Sequence, residues 1–180
     1  QPNPETPINP VWTDYHYLLD RGYGSGLEDD LTRWIRTFPV SGKDALDRSL
    51  AHWKRTGDLP WLLAVLTKIN SDHPDLNEVL KAAAAVPETS PGRLTAGYYR
   101  FLLLADLGRV QELRDELDKL LDTTLPAVSR NQFLALRMPL ARSFDEFLRF
   151  APRASTGERY FGRNPEAPVL LAHDALLVFN

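Results

Sequence analysis

The chain contains no cysteine, so neither disulfide stapling nor thiolate chemistry is open to it. It also lacks an excess of either charge. Its 21 Lys and Arg stand against 24 Asp and Glu, and a net charge of -3 gives no overall field to hold nucleic acid or an anionic membrane. No apolar run reaches the ~18 residues that a bilayer-spanning helix needs. There is no phosphate loop, no metal-ligand spacing of a known kind and no motif pairing a nucleophile with a base, so no cofactor and no metal are expected. The alternating glycines of Arg21-Gly-Tyr-Gly-Ser-Gly26 follow no strand and precede no lysine-serine pair, which leaves them as an interhelical loop.

What the chain does have is enough apolar residue, 43% of the 180, to bury a sizeable core. The pattern of those residues is helical. Ser90 and Pro91 form an entry signal, and Leu94, Tyr98, Phe101, Leu102 and Ala105 recur at three- and four-residue steps. Tyr99, Leu103 and Leu104 make this helix apolar nearly all round, so it must be sandwiched between neighbours. Gly108 suits the left-handed conformation that ends a helix, and a second helix follows with Val110, Leu113, Leu117, Leu120 and Leu121 on one stripe. Asp115 and Lys119 on its other face are spaced for an ion pair.

This hairpin has echoes. Thirty-four residues downstream, Leu104, Val110, Glu112 and Leu113 fall on Met138, Phe144, Glu146 and Phe147, and Ser143 to Glu146 forms a capping box. Fifty-one residues upstream, Gly108 falls on Gly57, Leu104 on Trp53, Val110 on Leu59, Leu113 on Leu62, Leu117 on Leu66 and Leu120 on Ile69. The larger step leaves room for one extra helix near Asp75 to Val86. The spacing predicts an all-α fold of antiparallel helical hairpins stacked as a short α-α superhelix, with an irregular helical bundle as the alternative.

A 34-residue helix-turn-helix period, with L-G-R-V-Q-E-L at 107 to 113, resembles the tetratricopeptide repeat over about Asp44 to Pro152. The match is partial: Leu113 and Leu117 stand where the motif has a small residue and an aromatic, and Gly97 where it has a tryptophan. The resemblance implies a concave face that holds peptides or partner proteins, without catalysis of its own.

Residues 1–10, with Pro2, Pro4, Pro7 and Pro10, read as an extended arm. Such an arm ahead of a domain, on a chain beginning at Gln1, is what signal-peptide removal leaves and equally what a cut at a domain edge leaves; an exported bacterial protein, periplasmic or secreted, is the expectation. Residues 11–152 form the helical domain. They include the aromatic-rich Val11 to Asp20 and a helix opened by Ser25 to Glu28, with Leu27, Leu31, Ile35 and Phe38 on one side. Residues 153–168, with Gly157, Gly162, Pro165 and Pro168, read as a loop. Val169 to Phe179 is strongly apolar, which implies a truncated element or one covered by a partner or a second copy.

The chemistry-bearing side chains point in several directions. His16 and Asp20 are four apart but lack a third ligand. His52 and His173 read as packed or hydrogen-bonded structural residues, and His73 lies in a loop before Pro74. Glu28, Asp29 and Asp30 sit in a helix's first turn, where capping accounts for them. Of the aromatics Trp12, Tyr15, Tyr17, Trp34, Trp53 and Trp61, most are expected in the core, with Trp61 packing across its hairpin. The arginines between Arg137 and Arg163 read as a solvated face with intrachain pairs. Two functions survive. The first is a scaffold for a peptide or partner protein, with Trp12, Tyr15, His16, Tyr23, Arg100 and Arg137 as the candidate binding surface. The second is an enzyme or helical accessory domain acting on a cell-envelope polymer, with its acid or base among Glu28, Asp29, Asp30 and His16.

Overall fold

The computed structural model describes Tyr17, Arg21 and residues 29–154. Among these the chain is all-α, with no strand. The helices are α1 (Asp30–Thr37), α2 (Lys43–Thr56), α3 (Leu59–Leu66), α4 (Leu76–Ala84), α5 (Arg93–Asp106), α6 (Val110–Leu121), α7 (Ala127–Arg137) and α8 (Phe144–Phe150), with a 3-10 turn at Met138–Leu140 before α8. No described helix is long and apolar enough to cross a membrane.

Three hairpins carry the frame read from the sequence. Gly57 (φ 72°) closes α2 and Gly108 (φ 67°) closes α5, both in the left-handed region where a side chain is strained. The Gly57 amide donates to the Trp53 carbonyl at 2.7 Å, and the Arg109 amide to that of Leu104 at 2.9 Å. In the third hairpin the position equivalent to Gly108 is Arg142, and the 3-10 turn at Met138–Leu140 makes the reversal instead. Several matched positions share burial, although Leu59 is half-buried where Val110 is exposed, and Ile69 is buried where Leu120 is half-buried. Trp53, Leu104 and Met138 are in the core, as are Leu62, Leu113 and Phe147, while Val110 and Phe144 are both exposed.

Added Cβ atoms at Gly57 and Gly108 would meet nothing within 4 Å, so only backbone strain opposes a side chain there. Gly108→Ala should therefore cost about 1–2 kcal/mol by chemical denaturation, with an unchanged helical circular-dichroism spectrum. An unchanged midpoint would show that the left-handed turn is not required.

The extra helix α4 changes the phase of the array. α1 packs on α3, α3 on α5 and α5 on α7, so the odd-numbered helices form one row and the even-numbered ones flank it. In the α2–α3 hairpin the second helix lies in the row, whereas in α5–α6 and α7–α8 the first does. Row helices need apolar residues on several sides, as α3 (LPWLLAVL) and α5 have.

Some local expectations are corrected. α5 begins at Arg93, two residues after Pro91, because Pro91 and Gly92 form a turn in which Ser90 Oγ accepts the Gly92 amide at 3.4 Å. Gly92 lies close on α3: a Cβ there would meet Leu59 Cδ2 at 2.7 Å. The most buried face of α5 runs through Ala96, Arg100, Leu103 and Leu104, with Phe101 beside it, and Ala105 is exposed. In α1, Leu31 is exposed while Thr32 and Ile35 turn inward. Asp29 is the N-cap, its carboxylate accepting from the Thr32 amide at 3.0 Å and the Thr32 hydroxyl at 2.6 Å, and these bonds hold it below the usual carboxylate range. Ser25, Leu27 and Glu28 lie outside the described residues.

Candidate functional site

Of the candidate binding residues, Trp12, Tyr15, His16 and Tyr23 lie outside the described residues, as do Asp20, His173, Arg159, Arg163 and Val169 to Phe179. Tyr17 is exposed, with the Arg21 guanidinium 4.9 Å from its ring centre.

Arg137 does not lie on a surface. It is 1% exposed, wedged between α6, α7 and α8, with its guanidinium 4.3 Å from the Phe150 ring centre. Its Nε donates to Asp118 at 2.7 Å and its Nη2 to both Asp118 and Glu146. Glu146 also accepts from Arg114 at 2.6 Å and from the Arg142 amide at 2.7 Å. Thus Ser143 caps α8 through the Glu146 amide at 3.1 Å, as the capping box predicts, while the Glu146 side chain binds three arginine residues. The Arg142 amide, and then the Arg137 and Arg114 side chains, pull its pKa down to about 2 from 4.5. Arg153 is buried too, donating to the Phe150 and Ala151 carbonyls. The expected solvated arginine face is therefore partly interior, because its members find fixed acceptors there.

A second cluster joins α1 to the α2–α3 hairpin. Asp30, His52 and Asp58 place one ligand atom each within 4.8 Å of the others, so their chemistry suits a divalent cation. Asp30 and His52 already hold each other. His52 Nε2 is 2.6 Å from Asp30 Oδ1, Trp61 Nε1 donates to both Asp30 oxygens at 3.1 and 3.2 Å, and the His52 ring stacks on Trp61 at 4.2 Å. Arg55 Nη2 lies 3.1 and 3.2 Å from the two imidazole nitrogens, and its positive charge opposes a further cation. The arrangement is a latch: Asp30 spans from α1 to a ring pair on α2 and α3. His52 is packed and hydrogen-bonded, and Trp61 packs across the α2–α3 hairpin, as the sequence reading expects.

A cleft of about 660 Å³ opens among the described residues. That volume falls in the range of about 300–1,000 Å³ typical of ligand pockets. α4 contributes Ala83 and Ala84; α5 contributes Arg93, Leu94, Gly97, Arg100 and Phe101; α6 contributes Glu116, Lys119 and Leu120; the Thr123–Pro126 connection and Phe133 of α7 complete the wall. Phe101 and Phe133 meet edge to face, their ring centres 5.9 Å apart, at the apolar floor. The rim is charged. Arg93 pairs with Glu88 at 3.1 Å, and Arg100, 8% exposed, chelates Glu116 and reaches Glu112 at 3.4 Å. Of the two arginines on the candidate list, Arg100 thus borders the cleft with its charge already matched. Lys119 makes no ion pair among the described residues, and Asp115, its expected partner, accepts from Gln111 Nε2 at 2.8 Å.

Gly97 is the most telling residue in the wall. It sits mid-helix in α5, where glycine costs about 0.5–1 kcal/mol relative to alanine. Its φ is not positive, and an added Cβ would meet nothing within 4 Å, so neither a turn nor close helix packing requires glycine there. The space above Gly97 belongs to the cleft. Sequence reasoning marked Gly97 only as a departure from the tetratricopeptide pattern. In comparisons with known proteins the chain matches no family model, no curated protein and no solved structure.

Proposed function

We propose that the protein is a non-catalytic interaction scaffold, similar in design to tetratricopeptide arrays, that holds a peptide segment of a partner protein in the cleft between α4, α5, α6 and α7. The observation that carries this reading is Gly97: a mid-helix glycine that packing does not require, on the wall of an apolar-floored cleft. Omitting a Cβ there lets a ligand backbone approach α5 closely. The charged rim around the Phe101–Phe133 floor is the layout of a protein-binding patch, apolar at the centre and polar at the edge.

A displayed random-peptide library selected against the full chain tests this. Enriched peptides should bind, and Gly97→Leu should weaken them by about tenfold or more, equal to about 1.4 kcal/mol. Gly97→Ala separates function from folding. It should raise stability by about 0.5–1 kcal/mol while lowering peptide affinity. No enriched binder, or equal affinity for Gly97→Leu, would refute the proposal.

A further inference from the structure

Resting on that reading, we infer that the cleft is built to take the chain's own segment, residues 169–179, which then competes with partner peptides for it. The described residues end at Ala154, which is tied to α7 by two bonds: the Ala154 amide donates to Asn131 Oδ1 at 2.9 Å, and Asn131 Nδ2 donates to the Ala154 carbonyl at 2.8 Å. The same helix supplies Phe133 to the cleft. Residues 155–168 then offer a tether of up to about 45–50 Å when extended, several times the ~16 Å length of an eleven-residue helix such as α7. Reach is therefore ample.

The chemistry matches in three respects. Val169-Leu-Leu-Ala-His-Asp-Ala-Leu-Leu-Val-Phe179 is apolar at both ends, as the cleft floor requires. Its single carboxylate, Asp174, complements Lys119, the wall cation left without an ion pair among the described residues. Small residues, Ala172 and Ala175, lie within two positions of Asp174 in the sequence, and a small residue is what the approach over Gly97 accommodates. An apolar segment on the same chain, joined through residues 155–168, has a high effective concentration for the apolar floor of the cleft.

The absence of native cysteine allows a clean test in the full chain. With Gly97→Cys and Ala175→Cys combined, mild oxidation should give an intramolecular disulfide at least about tenfold faster than a control pair of Ala175→Cys with Ser41→Cys, as proximity demands. Adding Asp174→Lys should slow it, and combining that change with Lys119→Asp should restore the rate. Disulfide-linked dimers would place a second copy in the cleft and overturn the inference, as would no preference over the control pair. In parallel, Asp174→Lys alone should raise affinity for the most enriched library peptide by about tenfold, because the internal competitor is weakened. Equal affinity in both proteins would refute self-docking and leave the scaffold reading standing. A peptide that binds neither protein would refute the scaffold reading itself.

Discussion

Glu146→Ala should destabilise the protein by about 3 kcal/mol, near the lower end of the ~3–5 kcal/mol expected when one partner of a buried ion pair is removed. Arg137 stays buried with only Asp118 to pair it, and Arg114 loses its carboxylate partner. The Ser143 cap on α8 remains, because it uses the Glu146 amide. Replacing Arg137 and Glu146 together by methionine and leucine should recover most of the loss, since apolar residues of similar volume often substitute for buried charges at little cost. Urea denaturation of the single and double variants measures this, and a Glu146→Ala midpoint equal to the wild type would show that the cluster contributes nothing.

The same carboxylate sets a pH window. Its folded pKa of about 2 lies below the ordinary 4.5, so the unfolded chain binds the proton more readily. The stabilisation is fully present above pH 4.5 and is lost as pH falls toward 2. Between those limits wild-type stability should drop more steeply than that of Glu146→Gln, so that the two curves converge at low pH. Parallel curves would mean that Glu146 titrates normally in the fold.

Trp61→Ala should cost about 3–5 kcal/mol, the range for removing a large buried aromatic. Trp61 is 2% exposed, and it both fills the core between α2 and α3 and holds Asp30 of α1. Trp61→Phe divides these roles: it keeps a ring in the core and the stack on His52 but removes the indole donor. Its cost should be about 1–2 kcal/mol, that of a lost hydrogen bond to a charged group plus a small void. Hydrogen exchange in α1 should rise in both variants more than in α5. If α1 exchange is unaffected, the latch does not hold that helix.

Much of the fold was legible because it is local. Gly57 and Gly108 announce their turns through the one conformation that favours glycine, and Ser143 announces the start of α8 by capping it. The apolar surround of α5 shows that it must be sandwiched. Side-chain partners were less legible, because spacing permits several and geometry selects one. Asp115 and Lys119 are well spaced for a pair, yet Asp115 bonds to Gln111 and no ion pair with Lys119 forms. Arg137 looked like surface charge because its acceptors lie 19 residues before it and 9 after it, on helices that only the fold brings together. The cleft is hidden from sequence for the same reason. Its wall draws on α4, α5, α6 and α7, and the residue that defines it, Gly97, is marked by having no side chain. The start of α5 was misplaced by two residues because Ser90-Pro91 is a sound entry signal locally, but Gly92 must first pass close to Leu59.

The central claim is that a peptide is held over Gly97, and a hydrogen-exchange footprint of the most enriched library peptide on the full chain tests it most directly. Protection should appear in residues 93–101 of α5 and in residues 119–125, at the end of α6 and in the connection after it, and should vanish in Gly97→Leu. Protection confined to α1–α3, or a footprint unchanged by Gly97→Leu, would contradict it.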